Sequence, residues 1–405
     1  MNNIGIIGVG KLGLPYALSF EHVGFNVYAS SYKKEYVEAL QNGTYESTEP
    51  EVLDYLTKAK NITFTIDNHI VIDKCDFIYV MVATPSTDAG DYDTSAVTDV
   101  ANDFLKHNGN VTGKVLIVGS TVNPGDCDKL QELLNPAGVH VVYCPTFVAQ
   151  GEVMRLIRDP HTLAIGTDNK QIARKCKDIF ESIVPITVPF FIFKRKTLEI
   201  LKLAGNGRST LLISFFNFIG QVLLSEGLED DLEHSCYYLN YVKRLTSAEE
   251  FDVTDTTTFG NIKNQLKFGY GFGGPCYPRD NKSLTYYTNN LGLEYPYGTI
   301  TDEFNHEHAN FLSNFLMKKN VRNFPYYFEY VSYKKGVAIF EESHQLQVCK
   351  NLLTHGKIVY IEPTEFLLQE IVDELSKEFP DQVIIKSLRD IDTKIYNATA
   401  IIQLH

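Results

Sequence analysis

Short apolar runs separated by polar and glycine-rich stretches recur along the first half of the chain. Asn3-Ile-Gly-Ile-Ile7, Phe25-Asn-Val-Tyr-Ala29, Phe77–Val82, Val115–Val118 and Val139–Tyr143 each read as a buried strand. Each leads into a loop carrying Gly, Pro, Ser or Thr, and helical spacing fills the intervals. Strands alternating with helices and ending in such loops predict a parallel sheet with ligands bound at its carboxyl edge. From Thr197 to Gln221 apolar residues recur at helical spacing, so a long helix is predicted through Asn206-Gly207 despite the turn tendency of that pair. A second α/β pattern closes the chain. It comprises an apolar run at Val337–Phe340, a helix over 345–353, a strand at Lys357–Ile361, a helix at Glu365–Lys377, a strand at Val383–Ile385 and a terminal strand at Ala400–Leu404.

The predicted fold class is therefore α/β, with two Rossmann-like doubly wound domains joined by a long central helix. The expected boundaries are a dinucleotide-binding domain over 1–195, a central helical and catalytic-loop domain over 196–325, and a C-terminal α/β domain over 326–405.

Composition narrows the function. The 405 residues are 44% hydrophobic and 21% charged, enough to bury sizeable cores. A net charge of −13 argues against a general nucleic-acid binder but permits an anionic substrate in a locally positive pocket. Seven cysteines, without a C-x-x-C pair or paired metal spacing, suit a reduced compartment, and no metal is expected. The first residues lack the basic and apolar regions of a secretory signal. No uninterrupted apolar run approaches the ~18 residues of a membrane span. A cytoplasmic protein without a membrane partner is the expectation.

Gly8-Val-Gly10-Lys11-Leu12-Gly13 follows the first strand and opens a helix. In that setting G-x-G-x-x-G makes the turn, lets a pyrophosphate approach, and packs helix on sheet. The second strand should end in an acid that holds the ribose hydroxyls of NAD. Ser30 and Ser31 stand there, followed by Tyr32-Lys33-Lys34. NAD is the expected cofactor, with NADP as the alternative if Ser31 and Lys33 meet a 2′-phosphate; otherwise the lysines are solvated residues opening the next helix.

Two further segments carry chemistry. Lys202 and Asn206 lie four apart and share one face of the predicted central helix. Cys276 ends Gly269-Tyr270-Gly271-Phe-Gly273-Gly-Pro-Cys276 and precedes Arg279 and Asp280. A thiol after close-turning glycines, with a carboxylate nearby, reads as a presented nucleophile. Cys75, Cys127 and Cys236 lack that setting and read as packing residues.

The glycine-rich segment resembles the signature G-x-G-F-G-G-x-C-x-x-K-D of the UDP-glucose/GDP-mannose dehydrogenase family, with Arg279 at the Lys position. Further motifs follow in order: Thr84-Pro85, Ser120-Thr121 through Pro124-Gly125, Pro145 through Gly151, and Glu199/Lys202/Asn206 for E-x-x-K-x-x-x-N. The resemblance implies a nucleotide-sugar 6-dehydrogenase, commonly a homodimer. Its catalytic set would be Cys276, Lys202, Asp280, Asn206 and Thr121. Cys276 would bond the oxidised carbon, Lys202 would stabilise oxyanions, Asn206 would orient the sugar or a water, and Thr121 would hold a water. Asp280 would orient Lys202, take a proton from water, or do both. Cofactor contacts would come from Gly8, Gly10, Lys11, Leu12, Gly13, Ser31, Lys33, Thr84, Pro85 and Thr121. Phe147, Gln150, Lys202, Asn206, Tyr270, Gly271, Gly273 and Arg279 would meet the nucleotide-sugar substrate.

Thr146 and Gln150 replace the two acids of the family's P-E-F-L-x-E-G loop, and both suit hydrogen bonding better than proton removal. A segment like F-K-x-x-T-D-D-x-R, expected after the first strand of the last domain, reads as deleted after Phe340. Two rival readings stay open: a dehydrogenase that stops at the aldehyde or hydrolyses slowly, and a cofactor- and sugar-binding homologue.

Overall fold

The computed structural model describes residues 3–403, apart from 186, 233, 236–237, 240–268, 270 and 294–296. The described residues separate into two compact units, Met1–Leu203 and Ala204–His405.

The first unit is built on β1 (Asn3–Ile7), β2 (Asn26–Ser30), β3 (Ile62–Thr65), β4 (Phe77–Val80), β5 (Val115–Val118), β6 (His140–Tyr143), β7 (Leu163–Gly166) and β8 (Phe190–Phe193). Their order across the sheet is β3-β2-β1-β4-β5-β6-β7-β8, and every pairing is parallel except β6 with β7. This is the dinucleotide-binding strand order extended by two strands. The two-residue period of a strand divides its side chains between two cores. Ile4, Ile6, Val115, Ile117 and Val142 pack on one face. Ile7, Leu116, Val118, Val141 and Tyr143 pack on the other. Strands buried on both faces read as unbroken apolar runs, which is why they were legible.

The helices of this unit are α1 (Gly13–His22), α2 (Lys34–Asn42), α3 (Val52–Lys58), α4 (Asn68–Lys74), α5 (Ser95–Lys106), α6 (Asp126–Leu134), α7 (Val153–Arg158) and α8 (Lys170–Glu181). α8 shows the usual logic. Asn169 caps it by accepting the amides of Gln171 (3.0 Å) and Ile172 (3.2 Å). Ile172, Cys176 and Phe180, four apart, face the core.

Helix α9 (Arg195–Ser225) runs unbroken through Asn206-Gly207, and the unit boundary falls within it. Its most apolar window has a mean hydropathy of 1.2, so by length and composition it could cross a membrane, contrary to the sequence expectation. Isolated polar residues interrupt every apolar run in it, which hid the average.

In the second unit, α10 (Tyr277–Asn290) and α11 (Tyr297–Lys319) precede a sheet of β9 (Tyr326–Phe328), β10 (Val359–Ile361), β11 (Val383–Ile385) and β12 (Tyr396–Asn397). These four lie in the order β11-β10-β9-β12, all parallel. Helices α12 (His344–Thr354), α13 (Gln369–Glu378) and α14 (Ala398–Gln403) complete it.

Two expectations fail here. Val337–Phe340 forms no strand; the first strand is Tyr326–Phe328, whose three residues are all buried. The terminal residues 398–403 are helical rather than extended, and only Tyr396-Asn397 pairs with β9. Moving the first strand back also moves the segment that follows it. Counted from β9, Tyr333-Lys334 stand where the family pattern has F-K, and Glu341 stands at the place of its Arg. The segment is therefore present, stripped of its Asp pair and reversed in charge at its end, rather than deleted.

Candidate active site

Loops at the carboxyl edge of the first sheet carry the candidate cofactor residues. Gly8 has φ +96°, and its amide and that of Val9 both donate to the carbonyl of Ser30, each at 2.9 Å. A Cβ on Gly13 would lie 2.2 Å from the Gly8 carbonyl oxygen, so only glycine lets the helix meet the turn. A Cβ on Gly10 would meet nothing within 4 Å. The bare backbone there faces open space, as a pyrophosphate cradle requires. No side chain caps the start of α1, and its first turn contains no acid. Leu14 and Tyr16 donate to the carbonyls of Gly10 and Leu12, and Pro15 has no N–H, so an anion would meet the amides of Lys11, Leu12 and Gly13. Lys11 and Leu12 complete the turn. The residues present thus fit a dinucleotide. Ser31 and Lys33 follow β2, Thr84 and Pro85 follow β4, and Thr121 follows β5. A cavity of about 560 Å³ adjoins the turn, lined by Gly10, Lys11, Pro15, Tyr45 and Gln150 among others.

Two carboxylates anchor the loops at this edge. Glu49 accepts the amides of Gly151 (2.8 Å) and Val153 (2.6 Å), fixing the loop that contains Thr146, Phe147 and Gln150. Glu199 is fully buried and accepts the amides of Gly125 (2.5 Å) and Cys127 (2.9 Å), closing the loop that begins at Ser120-Thr121. Burial raises the Glu199 carboxyl above the ordinary range, and the two amides pull it part of the way back. The Lys202 ammonium lies 4.7 Å from the centroid of the Phe147 ring, so two candidate substrate residues meet by a cation–π contact.

The second unit holds the candidate nucleophile. Cys276 is exposed and caps α10, with Asp280 in that helix's first turn. A helix N-terminus is the electropositive end, a setting that suits a nucleophilic sulfur. Asp280 is buried and accepts a short hydrogen bond from the Asn206 amide, uniting two candidates 74 residues apart. The glycine loop is held from several sides. Asn217 accepts the Gly269 amide at 3.0 Å. Asn305 accepts the Phe272 amide (2.9 Å) and donates to its carbonyl (2.8 Å). Gly274 donates to the carbonyl of Glu341 at 2.9 Å. A Cβ on Gly271 would lie 2.1 Å from the His344 ring, and one on Gly273 would lie 2.1 Å from the Glu342 carbonyl oxygen. Tyr270 lies outside the described residues. Arg279 forms an ion pair with Glu341 at 2.8 Å, so the cation at the family's Lys position is engaged by the carboxylate at its Arg position.

At the carboxyl edge of the second sheet a cavity of about 610 Å³ is lined by Tyr330, Ser332, Lys335, Phe340, Glu362 and Arg389 among others.

Sequence reasoning missed Glu49, Asn217 and the bond role of Asn305. Their spacing carries no signal, because each acts on backbone distant in sequence.

The geometry agrees with what comparison with known proteins finds. The UDP-glucose/GDP-mannose dehydrogenase family, NAD binding domain, matches residues 2–184. UDP-glucose 6-dehydrogenase YwqF of Bacillus subtilis is 25% identical over 297 residues, 71% of this chain and 62% of that protein. UDP-glucose 6-dehydrogenase TuaD of the same organism is 26% identical over 309 residues, 74% of this chain and 61% of that protein. The chain thus spans about three fifths of the length of these curated relatives. A UDP-glucose dehydrogenase structure from Pyrobaculum islandicum shares the fold, with a TM-score of 0.79 at 21% identity, covering 99% of this chain and 90% of that one. Residues 2–184 thus match the NAD-binding domain of the UDP-glucose/GDP-mannose dehydrogenase family, and the chain as a whole is similar to UDP-glucose 6-dehydrogenases at low identity.

Proposed function

We propose that the chain is a nucleotide-sugar 6-dehydrogenase, of the kind its UDP-glucose 6-dehydrogenase relatives are named for, which oxidises a sugar C6 alcohol to a carboxylate. The observation that carries this reading is the exposed thiol of Cys276 at a helix N-terminus, beyond a glycine loop clamped on several sides, with the Asn206–Asp280 pair in the same unit.

A nicotinamide dinucleotide bound at the glycine turn would supply the hydride acceptor, one molecule for each of the two oxidations. The protein supplies the rest. Oxidation of the alcohol yields an aldehyde, and the Cys276 sulfur adds to its carbonyl carbon to form a thiohemiacetal. That adduct, unlike a bare aldehyde, can surrender a second hydride and become a thioester. Water then adds to the thioester carbon, the C–S bond breaks, and the acid leaves with the thiol restored. Lys202 stabilises the oxyanions, Thr121 holds the water, Asn206 orients the sugar or water, and Asp280 takes the proton from water. The nucleotide of the substrate is assigned to the cavity beside Lys335 and Arg389.

The second reading is a reaction that ends early or hydrolyses slowly. It is favoured by Thr146 and Gln150, neither of which can act as a base at neutral pH unaided. Counting reduced cofactor per UDP-glucose consumed decides between them. Two supports the full reaction and one the truncated reaction, while none with any nucleotide sugar supports a binding protein. Cys276→Ser should retain sugar binding and lose the acid product.

We further infer a cytoplasmic homodimer. Seven cysteines without a C-x-x-C pair or paired metal spacing suit a reducing compartment. Leu211, Phe215, Phe218 and Val222, spaced four, three and four apart, leave an apolar stripe exposed along α9. A second copy of the chain would cover that stripe better than lipid would. The same helix buries Glu199, Lys202, Thr210 and Asn217, polar groups that are expensive to place in hydrocarbon.

A further inference from the structure

The two bonds from Gly8 and Val9 to the Ser30 carbonyl hold the end of β2 against the glycine turn. The residues that follow, Ser31 to Lys34, therefore occupy the place where this fold reads the adenosine ribose of a dinucleotide. A carboxylate here bonds both ribose hydroxyls and repels a 2′-phosphate. The segment has none. Asp67, just beyond the neighbouring strand β3, is committed elsewhere: its carboxylate caps α4 by accepting the His69 amide at 2.8 Å.

What the segment offers instead are donors. The Ser31 amide bonds the Thr65 carbonyl at 3.1 Å, fixing the residue beside β3. Its hydroxyl oxygen accepts the Lys33 amide at 3.4 Å, turning the chain so that Lys33 caps α2 with extended backbone. The two lysines now separate. Lys34 lies within 3.6 Å of Glu38, one turn along α2, whereas Lys33 makes no ion pair among the described residues. The Lys33 ammonium lies 5.8 Å from the centroid of the Tyr32 ring, and that ring is 87% exposed, open to stack on a base.

We propose that this domain binds the 2′-phosphorylated dinucleotide, NADP, in preference to NAD, with Ser31 and Lys33 as the residues that discriminate. The Ser31 hydroxyl donates one hydrogen bond to the phosphate, and the Lys33 ammonium adds up to three donors and a full charge. The inference rests on residues 2–184 being a dinucleotide domain, and concerns only which dinucleotide it takes.

Isothermal titration of the full chain with NAD and NADP, without sugar, tests it. NADP should bind about tenfold or more tightly than NAD at low salt. That gap should narrow as salt rises, since an exposed charge contact is screened. Lys33→Met should weaken NADP about tenfold and leave NAD unchanged. Ser31→Asp combined with Lys33→Asp should invert the preference, with the far-ultraviolet circular dichroism melt confirming that each variant folds. Equal or tighter binding of NAD by the native chain overturns the proposal. So does a Lys33→Met variant that weakens both dinucleotides alike. Binding of neither would overturn the dinucleotide reading as well.

Discussion

Cys276 is set apart from the other described cysteines by exposure. Cys75, Cys127, Cys144, Cys176 and Cys349 are buried, and burial pushes their thiols up, to about 12 for Cys176 and Cys349. A limiting dose of iodoacetamide at neutral pH should therefore alkylate Cys276 first, as read by peptide mass spectrometry. Early labelling at any of the other five would contradict the assignment. The glycines before it make a second residue-scale prediction. Gly271→Ala would drive a methyl into the buried His344 ring and the Asn305 amide oxygen, 2.5 Å away. Overpacking of this kind costs about 1–3 kcal/mol, so the melting temperature should fall by several degrees. A melt identical to the native one would show that the ring yields. The thiol and its glycines were legible in sequence because they are contiguous. The ring against which Gly271 packs was not, since His344 lies 73 positions further on.

At the scale of elements, the loops at the first sheet's carboxyl edge owe their shape to carboxylates supplied from other elements. Glu49→Ala would strip the Gly151 and Val153 amides of their shared acceptor. If no water replaced it, stability should fall by about 1–3 kcal/mol, and the loop after β6 should become the first site of chymotryptic cleavage, at Phe147. Unchanged cleavage kinetics would dismiss the anchor. The strands of the first unit were readable because burial on both faces demands unbroken apolar runs. The last unit was harder. Val337-Ala-Ile-Phe340 and Ala398–Gln403 are short apolar stretches that suit strand, helix or packed loop equally. The true first strand, Tyr326-Tyr-Phe328, is only three residues long. Its pairing with both β10 and β12 defines it, and pairing is not a local property.

At the scale of the whole molecule, two properties follow from burial and exposure. His308 and His344 stack in the interior of the second unit with ring centroids 5.2 Å apart, and His308 contacts Gln221 at 2.8 Å. Burial holds both below the ordinary imidazole value, His344 at about 4, and the neighbouring His306 and His344 charges act in the same direction. The unfolded chain therefore binds protons near pH 6.5 that the folded chain refuses until near pH 4. Stability should be full above pH 6.5 and fall as pH drops from there towards 4, and His344→Phe should flatten that slope in melts between pH 7 and 4.5. A slope unaltered by the variant would place the acid sensitivity elsewhere. The exposed stripe of α9 predicts that native protein sediments as a dimer and that Phe215→Arg with Phe218→Arg sediments as a monomer; a native monomer at micromolar concentration would remove the basis for the stripe's role. The sequence by itself determined the alternating α/β order, the glycine turn, the unbroken central helix and the thiol loop, because each is written in neighbouring residues whose spacing has one physical meaning. Tertiary structure alone decided which lysine after β2 pairs with Glu38, which carboxylates tie the loops, that Arg279 is answered by Glu341, and where the last sheet begins. Those outcomes depend on groups tens of residues apart competing for the same space and charge, and no local pattern records who prevails.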